Sequence, residues 1–123
     1  MKVYAYDGCS TCRKALAYLK GTGRAFETVP IRETPPSKAE LRQMLKVYEG
    51  KLKRLFNVSG ADYRALGLGA KIGTMTAEQA IDLLSHNGNL VKRPFVLVGN
   101  TGVVGFHEAE WQDKGLRQLP KGL

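Results

Sequence analysis

At 123 residues, with 43% hydrophobic and 24% charged residues, the chain is long enough to bury one core unaided and too apolar to stay disordered. No run approaches the ~20 apolar residues of a membrane span, and the opening MKVYAYDGC is too short and polar for the apolar region of a secretion signal, so cytoplasmic residence is the expectation. The formal net charge of +8 favours contact with anions. However, zinc-finger spacing, an RNP-type aromatic strand and a helix-turn-helix pattern are all missing, so a solvated basic surface is the simplest reading and no sequence-specific nucleic-acid binding is expected.

Residues 2–6, KVYAY, read as a strand bounded by Asp7-Gly8. From Ser10 to Lys20 the period changes: Cys12, Ala15, Leu16 and Leu19 fall on one helical face, and the glycines of GTG at 21–23 end it. A second strand is expected over AFETVPI at 25–31, giving a right-handed βαβ unit with parallel strands. Ser37 and Glu40 form a capping box before a helix that buries Leu41, Met44, Leu45 and Tyr48. Residues 51–72 read as short helices broken by turns, and Thr76 with Gln79 caps a further helix that Asn87-Gly88 stops. The apolar runs around Gly99-Asn100-Thr101-Gly102 predict a β-hairpin, followed by a last helix from His107 or Glu108. The basic end KGLRQLPKGL, residues 114–123, is expected to fray. The order β-α-β, helices, β-β-α describes one α/β domain over residues 1–123.

The only two cysteines lie in GCSTCR at 8–13. This spacing places Cys9 at the turn from strand to helix and Cys12 in the first helical turn. There the unpaired backbone N–H groups and the positive end of the helix dipole stabilise a thiolate, and cysteines so placed can have pKa values of about 3.5–7.5. Arg13 and Lys14 act in the same direction and Asp7 against it. Cys9 is then the nucleophile by position and Cys12 the buried partner. A structural disulfide is a poor explanation, because closing so short a loop removes only about 2 kcal/mol of chain entropy and the cytosol is reducing. Strand, C-x-x-C and helix in a βαβ context read as a thioredoxin-like redox motif. Two other readings stay open. A structural zinc would need His86 and His107 as further ligands, although they lack paired spacing, and the thiols could simply be inert core residues.

A second constellation is Lys92-Arg93-Pro94, directly before a strand. Proline belongs at a strand's first residue and is the residue type that tolerates a cis bond. Facing the cysteine loop, Arg93 would offer a permanent guanidinium to an oxyanion, sulfenate or thiolate. A surface arginine ahead of a strand-starting proline is the plainer alternative.

YDGCSTCRKALAYL, PPSKAEL, LFNVSGADYRALGL, GNLVKRPFVLV and GFHEAEW together resemble, in order over about residues 2–112, the ArsC/Spx family of thioredoxin-fold proteins. The resemblance implies a thioredoxin-like α/β fold, βαβ then ββα around a mixed four-stranded sheet, with a helical insertion over about residues 35–90. It implies that Cys9 is the nucleophile, Cys12 the resolving cysteine, and Arg93-Pro94 the family's Arg–cis-Pro pair. Asn57 stands about where arsenate-reducing members carry an oxyanion arginine, and VGFHE offers His107 and no arginine. The C-x-x-C pattern is that of Spx- and MgsR-like members.

The function implied is an arsenate reductase-like thiol–disulfide oxidoreductase acting on a small oxyanion or a protein disulfide. Cys9, Cys12 and Arg93 would carry the chemistry, and Ser10, Thr11, Arg13, Asn57 and Pro94 would hold the substrate. No metal and no bound cofactor are expected. An external thiol, glutathione with glutaredoxin or thioredoxin, would act as reductant, with the protein a monomer away from membranes. The alternative is an Spx-like redox-sensing transcriptional regulator that binds the C-terminal domain of the RNA polymerase α subunit.

Overall fold

The computed structural model describes residues 1–120. Its centre is a four-stranded sheet in the order β2-β1-β3-β4, with β1 at Lys2–Ala5, β2 at Glu27–Pro30, β3 at Phe95–Val98 and β4 at Thr101–Val104. β1 and β2 run parallel, Lys2 opposite Glu27 and Ala5 opposite Pro30, joined through α1 at Ser10–Lys20. β3 runs antiparallel to β1, Tyr4 opposite Phe95, and β4 antiparallel to β3. The expected mixed, thioredoxin-like α/β arrangement is therefore present, with β2 shorter than the predicted run at 25–31.

Side-chain alternation along the strands separates two core faces. Val3, Ala5, Val96, Val98 and Val103 pack with Cys12, Ala15, Tyr18 and Leu19 of α1 and with Trp111 of α6, Glu108–Asp113. Tyr4, Phe95, Leu97 and Val104 face the opposite way, against Leu41, Met44, Leu84 and other residues of the insertion. This explains why β3 is an unbroken apolar run, FVLV, buried at every position. On α1 the stripe turns slightly from expectation: Leu16 is half-buried, and Tyr18 takes the inner position.

The insertion holds α2 at Lys38–Val47, α3 at Ala61–Ala65, α4 at Leu68–Lys71 and α5 at Ala77–His86, with 3₁₀ turns at Leu52–Leu55, Ile72–Thr74 and Gly88–Leu90. Both capping boxes form: Ser37 accepts from Glu40 N–H and Thr76 from Gln79 N–H, each with the reciprocal bond. Glu40 also accepts from Tyr4 Oη at 2.6 Å and Lys2 Nζ at 3.1 Å, tying the start of α2 to β1. An isolated antiparallel bridge between Phe56 and Val91 ties the middle of the insertion to the segment that leads into β3. Gly88 packs directly on the chain leaving β2: an added Cβ would lie 1.8 Å from the Ile31 carbonyl oxygen. Gly88→Ala is therefore expected to cost about 1–3 kcal/mol or more in chemical denaturation. An unchanged midpoint would show that this contact relaxes freely.

Two further expectations change. The hairpin turn is only Gly99-Asn100, with Thr101 and Gly102 inside β4. Over residues 114–120 the basic end is also not frayed. Leu116 is fully buried in the α1–α6 core, its carbonyl accepts from Tyr18 Oη at 2.8 Å, and Leu119 N–H donates to the Gly21 carbonyl at 2.9 Å. Leu116, set among lysines and glycines, anchors the segment in the core, while residues 121–123 lie outside the described part. Leu116→Ala is expected to destabilise by about 2–5 kcal/mol, and a cost under about 0.5 kcal/mol would contradict the docking.

Candidate active site

The chain leaves β1 through Tyr6-Asp7-Gly8 and turns into α1, the turn closed by Cys9 N–H donating to the Tyr6 carbonyl at 3.1 Å. Gly8 allows this path because any Cβ there would meet the Tyr6 ring at 2.6 Å. Cys9 is the N-cap of α1, in extended backbone at φ −99°, ψ 116°, and its Sγ accepts from Cys12 N–H at 3.3 Å. The cap position, normally filled by an oxygen-bearing side chain, thus sets a sulfur on an unpaired helix N–H at the positive end of the dipole.

The two thiols are free and differ in character: Cys9 is partly exposed and Cys12 is fully buried. Burial opposes ionisation of Cys9, but the Cys12 thiol and backbone N–H that donate to it, and the Arg93 guanidinium beside it, outweigh burial and hold its pKa below the ordinary thiol value. For Cys12, burial comes first and the neighbouring Cys9 sulfur adds to it, pushing its pKa up to about 12 despite a hydrogen bond with the Tyr6 backbone. One thiolate and one protonated donor is the arrangement needed for attack followed by resolution.

Cys9 opens onto a cleft of about 350 Å³ lined by Thr11, Asn57, Ser59, Lys92, Arg93, Gly105, Phe106 and His107. The Arg93–Pro94 peptide is cis, and Pro94, itself buried, accepts from Gly105 N–H at 2.9 Å through its carbonyl. Asn57 is held by its own N–H donating to the Leu90 carbonyl at 2.7 Å. Cys9, Thr11, Asn57 and Arg93 are therefore brought together, and Cys12 lies behind Cys9.

Arg13 points elsewhere. Its guanidinium donates to the Asp7 carbonyl at 2.8 Å on the exposed side of α1, so Arg93 supplies the cation acting on Cys9. Ser10 is exposed and does not line the cleft. His107 faces the cleft while His86 turns to Asp82. Among the described residues no three His, Cys, Asp or Glu side chains converge as metal ligands.

Sequence reasoning missed Tyr6 and Arg32. The Arg32 guanidinium lies 4.6 Å and that of Arg93 5.2 Å from the Tyr6 ring centroid. Tyr6 reads as one more strand aromatic and Arg32 as a loop cation after Pro30. Their only sequence-level signal is that parallel β1 and β2 end side by side, placing both residues at the same end of the sheet as the cysteine turn.

Because Arg93 favours the thiolate of Cys9, Arg93→Met is expected to raise the Cys9 pKa. The midpoint of its alkylation rate against pH would move upward. An unmoved midpoint would mean that the guanidinium does not act on the sulfur.

The sequence model of the ArsC family matches residues 4–114. Among curated proteins, the chain is 38% identical over 110 residues to the uncharacterized protein YusI of Bacillus subtilis (strain 168), covering 89% of this chain and 93% of that one. It is 29% identical over 108 residues to the global transcriptional regulator Spx of Streptococcus agalactiae serotype V, covering 88% of this chain and 77% of Spx. Among solved structures, a possible arsenate reductase from Streptococcus mutans UA159 superposes with a TM-score of 0.84 at 35% identity, covering 93% of this chain and 96% of that one. No helix among the described residues is long and apolar enough to cross a membrane.

Proposed function

The chain belongs to the ArsC family, and from that premise we propose that it is a thiol–disulfide oxidoreductase with Cys9 as nucleophile and Cys12 as resolving thiol. The observation that carries this reading is the cap geometry: Cys9 Sγ sits on the Cys12 N–H at 3.3 Å at the mouth of α1, open to the cleft, with Cys12 buried one turn inward.

In the first step the Cys9 thiolate attacks one sulfur of a substrate disulfide, forming a mixed disulfide and expelling the other sulfur as thiolate. Once Cys9 carries no charge, the part of the rise in Cys12's pKa that comes from its neighbour is gone. Cys12 then loses its proton and attacks Cys9 Sγ, releasing the second substrate thiolate and leaving a Cys9–Cys12 disulfide. Two electrons from an external thiol, glutathione with glutaredoxin or thioredoxin, restore the dithiol.

An oxyanion such as arsenate would enter the same cleft, but among the lining residues Arg93 is the only arginine, with Lys92 beside it. Asn57 stands where a second arginine would strengthen anion binding. A disulfide is therefore the preferred substrate class. Turnover of 2-hydroxyethyl disulfide and of arsenate, each with an external thiol, tests this. Disulfide reduction well above background, with arsenate slower, is expected, and background rates for both would sink the proposal.

A second reading is favoured by the Spx relative and by the net charge of +8. In it the Cys9–Cys12 bond alters a protein-binding face that contacts the C-terminal domain of the RNA polymerase α subunit. Purified α C-terminal domain retained by one redox form of the protein and not by the other would support it. Retention by neither would remove it.

A further inference from the structure

We infer that Tyr6 is a positioning residue of the Cys9 cleft: its ring holds the Arg93 guanidinium on the Cys9 side and so tunes the reactivity of the sulfur. This rests on the assignment of Cys9 as nucleophile above and adds to it a residue that acts through Arg93.

An arginine side chain has several rotatable bonds and settles only where partners hold it. Among the described residues the Arg93 guanidinium has no carboxylate within ion-pair distance. Its Cζ lies 5.2 Å from the Tyr6 ring centroid, inside the ~6 Å over which a ring face attracts a cation. Tyr6 follows β1 directly, and its carbonyl accepts the Cys9 N–H at 3.1 Å. One residue thus supports the backbone of the nucleophile and the side chain of the cation beside it.

The turn also makes room for this ring. Gly8 does not adopt the left-handed backbone that favours glycine. A Cβ there would nevertheless stand 2.6 Å from Cε2, Cζ and Oη of Tyr6. Any larger residue at position 8 would displace the ring from its present seat.

The other charges around Arg93 pull in opposite senses. Arg32, 4.6 Å from the same ring centroid, lines the neighbouring cavity of about 210 Å³ but not the Cys9 cleft. Its like charge disfavours Arg93 conformers that swing away from Cys9. Asp62 lines that cavity as well and attracts Arg93 away from the sulfur, although Asn87 Nδ2 holds its carboxylate at 3.1 Å. Lys92 and His107 line the cleft with Cys9, while Asp7 lies in the turn and Arg13 is bound to its carbonyl. Without the ring, Asp62 and water compete for Arg93, and the cation spends less time beside the sulfur. Because that guanidinium lowers the Cys9 pKa, loosening it raises the pKa.

The test is the midpoint of Cys9 alkylation by iodoacetamide against pH, with circular dichroism confirming that each variant is folded. Tyr6→Leu should raise the midpoint by about half or more of the shift that Arg93→Met produces. Tyr6→Phe keeps the ring face and should stay at the wild-type midpoint. In an Arg93→Met background Tyr6→Leu should add nothing, because its effect passes through the guanidinium. If Tyr6→Leu does not fold, Gly8→Ala takes its place, since it keeps the tyrosine, displaces the ring and should move the midpoint the same way.

An unmoved midpoint, an equal shift with and without Arg93, or a Tyr6→Phe that behaves like Tyr6→Leu overturns the assignment. Disulfide turnover is measured in parallel. No turnover with the expected pattern of midpoints removes the oxidoreductase reading and keeps the role of Tyr6. Turnover that Cys9→Ser abolishes, with midpoints indifferent to Tyr6→Leu, does the opposite.

Discussion

Cys9→Ser is expected to reduce disulfide turnover to the uncatalysed background, a loss of about 10³-fold or more. A hydroxyl at the α1 cap still accepts the Cys12 N–H, so the helix start and the fold should survive, with little change in the denaturation midpoint. Activity and stability therefore separate in this variant. Serine offers a non-ionising alcohol where the wild type offers a sulfur with lowered pKa. Wild-type turnover should rise with pH through that lowered pKa and level off above it, because the thiolate is the reacting form. Turnover retained in Cys9→Ser would move the chemistry away from the cap.

Cys12→Ala has the second-largest expected effect, of a different kind. The first attack still occurs, but nothing inside the protein expels the bound half of the substrate, so a mixed disulfide on Cys9 should accumulate. Intact-mass spectrometry would show one adduct per chain, stable until external thiol is added. The substitution also removes the thiol that donates to Cys9, so the Cys9 pKa should rise. Cys12 is fully buried against Ala15, Leu19 and Trp111, and alanine there leaves a small void costing about 1 kcal/mol. Full turnover with no adduct would show that an external thiol resolves the intermediate and that Cys12 is a core residue.

Much of the fold is legible in the sequence because its signals are local. The two capping boxes, the hairpin turn and the period of α1 each need only neighbouring residues, and all of them form. The cysteine turn is legible for the same reason: a thiol just before an amphipathic helix falls on its unpaired N–H groups. Features that depend on distant segments are not readable this way. Arg13 looks like the cation nearest Cys9 in sequence, but a hydrogen bond to the Asp7 carbonyl holds it on the exposed side, while Arg93, readable only through its resemblance to the Arg–cis-Pro pair, lines the cleft with Cys9. Leu116 is one apolar residue in a basic stretch, and only the packed core of α1 and α6 shows what it joins. Tyr6 and Arg32 become neighbours of Arg93 through strand pairing alone.

The arrangement also separates the roles of the two core faces. The α1–α6 side fixes the cysteines: Trp111 is fully buried, donates to the Gly105 carbonyl at 2.9 Å and packs edge-on against Tyr18 and Phe106. The insertion side supplies Asn57, Ser59, Asp62 and Asn89, which shape what can approach Cys9. Changes in the insertion are thus expected to alter substrate choice more than the reactivity of the sulfur itself.

The most direct measurement is site-resolved alkylation of the reduced protein across pH, with peptide mass spectrometry assigning each thiol, followed by mapping after mild oxidation. Cys9 should alkylate with a midpoint below the ~8.5 of an ordinary cysteine, Cys12 should stay unmodified through neutral pH, and oxidation should give a Cys9–Cys12 bond that dithiothreitol reverses. A Cys9 that titrates at or above the ordinary value, or an oxidised protein with no Cys9–Cys12 bond, would contradict the assignment of attacker and resolver.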